Sequence, residues 1–175
     1  MVAGLTAASI ATVGVLAYQA SASAPDREGA AAKPAASAPA KAPQKPRDPL
    51  ALPVPSDTGV RVVYRLSGQR VWLVSGRDRV LRTFTVTPST VIPAPGTYQV
   101  MSRSGRGTGG DGAAIEHVVR FHQMGRTVIG FSAAVDGTVA RPEPGRKTGG
   151  VRMTRADGDA MWRFATIDTK VVVVP

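Results

Sequence analysis

Eight prolines and nine alanines fall within the 33 residues from Pro25 to Asp57, and this composition divides the chain. Proline fixes φ and removes a backbone donor, so a segment this rich in it supports neither helix nor sheet. The segment also offers too little apolar surface to offset the entropy of ordering it. It is expected to behave as a tether that extends about 3.1 Å per residue where polyproline-like, with a reach on the order of 100 Å. Residues 25–57 are therefore read as a disordered Ala/Pro-rich linker. Residues 58–175 follow as one domain of ordinary size.

Ahead of the linker, residues 1–24 carry no charge. The run MVAGLTAASIATVGVLAY is long and apolar enough to enter a bilayer. Small residues follow it, and both Ala20-Ser21-Ala22 and Ala22-Ser23-Ala24 fit a signal-peptidase site. The segment reads as a signal peptide or membrane anchor. No Lys or Arg precedes the apolar run, which leaves open a start further upstream or a weak signal. The expected location is extracytoplasmic, either secreted or anchored at the cell envelope.

From Thr58 the chain turns to short β-rich runs. Arg61–Leu66 alternates and ends at Ser67-Gly68, and Arg70–Ser75 ends at Gly76-Arg77-Asp78. With Arg79–Thr87 these predict three strands in an antiparallel meander. Gly96–Ser102, Ile115–His122 and Thr127–Phe131 read as further strands. The glycine-dense Ser104–Gly112 and the Pro/Gly-rich Arg141–Gly150 read as loops. Thr154 followed by Asp157 is a capping-box pattern that opens one short helix, with Met161, Trp162 and Ala165 at helical spacing. Lys170–Val174 is a continuous apolar run that predicts a strand buried on both faces.

Net charge is +10, and the excess lies almost wholly after Thr58. Basic surfaces favour polyanions, although Arg-rich composition also simply solvates a surface. Aromatic residues are 5% of the chain, a poor supply of stacking platforms for single-stranded nucleic acid. No nucleic-acid partner is expected. There is no cysteine, so disulfides, thiolate metal ligands and thiol nucleophiles are excluded for this chain. Ser104–Gly112 lacks the Gly-Lys-Ser/Thr ending of a phosphate loop. The histidines and carboxylates show no metal-ligand spacing, so no cofactor or metal is expected. Asp157 and Asp159 suit a helix start, and Glu143 has no carboxylate partner nearby in sequence.

Several local strings, in order, resemble the YkuD-type L,D-transpeptidase catalytic domain over about Gly59 to Pro175. They are Arg61-Val62-Val63-Tyr64, Gln69-Arg70-Val71-Trp72-Leu73, Thr87-Pro88, Pro95-Gly96-Thr97-Tyr98, Ile129-Gly130-Phe131-Ser132-Ala133, Thr148-Gly149-Gly150-Val151-Arg152-Met153, Asp159-Ala160-Met161-Trp162 and Asp168-Thr169-Lys170-Val171-Val172-Val173. The resemblance implies a mainly β fold, an L,D-transpeptidase-like β-sandwich or mixed-sheet domain with one short helix. It also implies an origin in peptidoglycan chemistry. In that family a thiolate attacks a stem-peptide carbonyl, forms an acyl-enzyme and passes the acyl group to an amine.

The departures fall on that chemistry. Gly150 stands where the family has its nucleophilic Cys. Ser132 and Thr148 stand where it has His. The chain is thus expected to be a degenerate member without transpeptidase activity, a pseudoenzyme. Its expected partner is peptidoglycan or another anionic wall polymer, with Arg152, Thr148, Gly149 and Ser132 as candidate binding residues. Arg152 would either hold a stem-peptide carboxylate bidentately or brace its loop through backbone carbonyls. Two alternatives accompany this reading. One is an active hydrolase or transferase using the Ser132 or Thr148 hydroxyl. The other is a structural partner of another envelope protein. A hydroxyl nucleophile needs a nearby base. The two histidines, His117 and His122, are an odd five residues apart, which puts them on opposite faces of a regular strand.

Overall fold

The structure, a computed structural model, describes residues 48–175. The apolar leader and residues 25–47 of the expected linker lie outside the described residues. Nine strands and one helix are seen: β1 (Arg61–Arg65), β2 (Arg70–Val74), β3 (Val80–Thr85), β4 (Gly96–Gln99), β5 (Ser102–Thr108), β6 (Ala114–Met124), β7 (Thr127–Ala134), β8 (Gly150–Met153), α1 (Arg155–Phe164) and β9 (Lys170–Val174). They form a five-stranded sheet in the order β3-β2-β1-β9-β4 and a four-stranded sheet in the order β5-β6-β7-β8.

The meander is present, with β1–β2 and β2–β3 both antiparallel. β9 runs parallel to β1 and antiparallel to β4. Apolar packing on both of its faces explains the unbroken valine run, because period-two alternation needs apolar residues wherever both faces are covered. Val171 and Val173 join Val62, Tyr64, Val71 and Leu73 in the main core, against Val119, Phe121, Ile129, Phe131, Val151 and Met153 of the second sheet. Met161 and Ala165 of the helix region complete it. Each such side chain contributes about 1.5–3 kcal/mol relative to exposure.

The opposite face of the first sheet is also apolar. Val63, Trp72, Val74 and Val172 cluster there, with Leu52 packed against them. Residues 48–57, on the linker side of Thr58, supply more than Leu52. The Trp72 indole donates to the Leu50 carbonyl at 2.9 Å, and Lys170 pairs with Asp57 at 2.7 Å. Arg65 lies over the Trp72 ring with its guanidinium carbon 5.1 Å from the centroid, a cation–π contact.

Three features differ from the sequence reading. Gly96–Ser102 is not one strand: the chain leaves the first sheet after Gln99 and enters the second at Ser102. Ser104–Gly112 is not a loop throughout. Its first half lies in β5, paired antiparallel with β6, because β6 is long enough to template a partner that has no apolar alternation of its own. Only Gly109–Gly112 turns, closed by Gly109 N–H to Ala113 O and Gly112 N–H to Gly109 O. The Arg141–Gly150 loop ends at Gly150, which already belongs to β8.

The helix is as expected. The Thr154 hydroxyl accepts the Asp157 amide at 3.2 Å and donates to the Asp157 carboxylate at 2.6 Å. Asp157 also receives both Arg82 nitrogens, at 2.7 and 3.0 Å. Asp159 pairs with Arg163 one turn on. Among the described residues no helix is long and apolar enough to cross a membrane.

Candidate functional site

The candidate residues meet on the outer face of the second sheet, because β7 and β8 run parallel in a fixed register. Gly130 pairs with Gly150, and Ser132 with Arg152. Ile129 and Phe131 of β7 and Val151 and Met153 of β8 point into the core. Alternation therefore sends Gly130, Ser132, Gly150 and Arg152 the other way. There they line a cleft of about 260 Å³ together with Thr148, Gly149 and the turn residues Gly109 and Gly110.

The two neighbouring glycines of the β8 entry differ physically. A Cβ on Gly149 would run into the Val128 carbonyl, with its carbon at 2.8 Å. Only glycine lets the β8 entry approach β7 this closely. A Cβ on Gly150 would instead meet only the Arg152 guanidinium, no nearer than 3.8 Å. Gly150 thus faces open space beside a cation. Thr148 is buried and fixed by its backbone: its amide donates to Thr90 Oγ1 at 2.9 Å, and its carbonyl accepts the Val91 amide at 3.0 Å.

Arg152 is 6% exposed. It neither braces carbonyls with its side chain nor waits unpaired. Nη1 donates to Ser132 Oγ at 2.7 Å, and Nη2 donates to both oxygens of Asp111 at 2.7 Å. Asp111 was not legible as a site residue. It comes from the Gly109–Gly112 turn, whose backbone is held further by Arg146 donating to the Asp111 carbonyl at 2.6 Å. Burial pushes the Asp111 carboxyl up, but the Arg152 hydrogen bonds and the Ala113 amide outweigh it, so the group sits below the ordinary carboxylate range. Other cations line the cleft, namely Arg120, Arg126 and Lys147. The signal available in sequence was a lone carboxylate among glycines, in a chain whose surplus is cationic.

The histidines are not at this site. Two bulges interrupt β6, between Glu116 and Val119 and between Arg120 and His122, so regular alternation does not hold. His117 has φ of 54° and lies against Trp162, and His122 lies against Tyr98. Both rings face elements on the core side of the sheet rather than opposite faces. Ser132 therefore has a guanidinium as its neighbour instead of an imidazole. A cation does not take a proton from a hydroxyl, and the arrangement is suited to receiving an anion rather than to generating a nucleophile. Among the described residues no cluster of three or more His, Asp or Glu is placed to hold a metal.

No family model matches the sequence, and no curated protein matches it. Solved structures do. The L,D-transpeptidase (Yku) from Stackebrandtia nassauensis is 15% identical, with 67% of this chain and 56% of that chain covered at a TM-score of 0.54. Mycobacterium tuberculosis L,D-transpeptidase 1 is 16% identical, with 67% and 62% covered and a TM-score of 0.51. An L,D-transpeptidase from Mycobacterium smegmatis is 12% identical, with 66% and 58% covered and a TM-score of 0.52. The chain spans little more than half the length of these structures. The described residues have an L,D-transpeptidase-like fold, mainly β, with two mixed sheets and one helix.

Proposed function

We propose that this chain is an extracytoplasmic, cell-envelope protein that binds peptidoglycan or another anionic wall polymer without catalysing L,D-transpeptidation. The observation that carries this reading is the open cleft at Gly150, walled by a buried arginine and lined by further cations, where a thiol nucleophile would stand in the resembling family. At the three positions where the resemblance would place the reactive groups stand a glycine, a serine bound to a guanidinium, and a buried threonine, which supports a reading without that chemistry. The chargeless leader and the Ala/Pro-rich linker support export and tethering, with membrane attachment if the leader stays uncleaved.

Retention of the full chain on purified sacculi tests the reading. Binding above that of an unrelated protein of equal basic charge is expected, with loss in an Arg152→Gln variant. Retention no greater than the basic control ends it. Co-purification with a second envelope protein in place of glycan would assign the chain to a scaffolding role instead.

A further inference from the structure

The arginine of the cleft already holds a carboxylate, and it belongs to the chain itself. Arg152 is almost wholly buried, yet its partner Asp111 is one-third exposed. Asp111 sits on a turn flanked by Gly109, Gly110 and Gly112, the last with φ of 86°. The turn closes on the cleft: a Cβ on Gly109 would collide with both the Asp111 carboxylate and the Arg152 guanidinium, and Gly110 lies over the Thr148 methyl. The tip thus forms one wall and, among the described residues, supplies the only negative charge bonded to Arg152. Arg120, Arg126 and Lys147 leave the rest of the lining cationic. An entering anion is opposed by one group, and that group occupies the position the anion would take.

We infer that Asp111 is an internal stand-in for ligand: a carboxylate-bearing ligand binds by exchanging with Asp111 on Arg152, and the Gly109–Gly112 tip is released as it does so. This rests on the proposal that the cleft is a binding site, and adds to it the ligand's chemical class and a competing state of the empty protein. The carboxylate is favoured over phosphate because the slot, with Ser132 on one nitrogen of Arg152, presently seats a planar two-oxygen group on the other. Competition of this kind reduces apparent affinity by the fraction of time the slot is free, and removing the competitor restores it. A charge-assisted pair with a one-third-exposed partner makes that fraction about one tenth or less.

The probe is glutarate, titrated calorimetrically into the full chain and into Asp111→Asn, with Asp136→Asn as the charge control. Asn keeps an oxygen for the Ala113 amide, and Asp136 bonds only within its own turn, to Thr138. Asp111→Asn is expected to bind glutarate about tenfold tighter than the unmodified chain, and Asp136→Asn to be unchanged within about twofold. Inorganic phosphate should show no such gain. In the unmodified chain, saturating glutarate should speed amide hydrogen exchange at Gly109–Gly112, whereas a ligand that merely orders a loop slows it. This second reading does not depend on the variant folding. Unchanged affinity in Asp111→Asn, or slowed exchange at the tip, overturns the inference. Sacculus retention with no exchange sinks the inference alone, while glutarate exchange with no sacculus retention sinks the wall-binding proposal alone.

Discussion

Two adjacent glycines give opposite expectations for the same substitution. In Gly149→Ala the new methyl falls within the Val128 carbonyl, whose carbon is at 2.8 Å, and 3.1 Å from Ile129 Cα. All of these atoms are β7 backbone, held on both sides by paired strands, so they cannot swing away as a side chain would. Relief requires β8 to back off, which stretches the Gly130 N–H to Gly149 O bond of 3.1 Å. Overpacking of this kind costs about 1–3 kcal/mol, and a weakened backbone hydrogen bond about 1 more. In Gly150→Ala the methyl enters open space, with its nearest atom 3.8 Å away. Restricting the unfolded chain then stabilises by about 0.4–1 kcal/mol. The two variants should differ by about 3 kcal/mol, or about 10 °C in Tm for a domain of this size. Urea unfolding and calorimetry of the full chain measure both. If the variants agree within about 1 kcal/mol, the distinction between a packed Gly149 and a vacant Gly150 is wrong.

The Asp111 carboxyl is held below its ordinary range in the folded chain, so its contribution to stability is present above the unfolded carboxylate pKa and is lost as pH falls through the folded one. Tm should therefore hold through neutral pH and fall below about pH 4, with a shallower fall in Asp111→Asn; identical acid profiles for the two proteins count against the Arg152–Asp111 pair. With no cysteine, the chain should form no covalent carbapenem adduct by mass spectrometry, and any such adduct refutes the loss of the nucleophile. Gly150→Cys places a thiol beside the Arg152 guanidinium, which favours thiolate. It should alkylate with iodoacetamide faster than a thiol of pKa about 8.5, yet join no wall peptides, because Ser132 and Thr148 supply no imidazole.

Strand positions were readable where one physical signal dominated. The alternation of Arg61–Leu66 and the turn at Ser67-Gly68 located β1, and the unbroken apolar run of Lys170–Val174 located a strand covered on both sides. The Thr154–Asp157 spacing located the helix because capping is local chemistry. What stayed hidden depends on partners distant in sequence. Ser102–Thr108 holds no alternating apolar residues and is a strand only because β6 extends beside it. The β6 bulges displaced both histidines from the faces that simple spacing assigns. In the site, the order of the strings points to the four candidate binding residues, and all four line one cleft together with Gly150. Asp111 was missed because a lone aspartate between glycines looks like a turn residue, and its partner is 41 residues away.

The strand that joins β4 to the rest of the larger sheet, β9, is the last of the nine to be synthesised. Arg61 and Lys170 stand side by side in register, so the neighbours β1 and β4 lack their shared partner until almost the whole described chain exists. Closing so long a loop is an entropic debt met before any valine in it is rewarded, which makes the assembly slow and non-local. The local antiparallel pairs β1–β2–β3 and β5–β6–β7 do not wait for it, so the larger sheet is the one completed last.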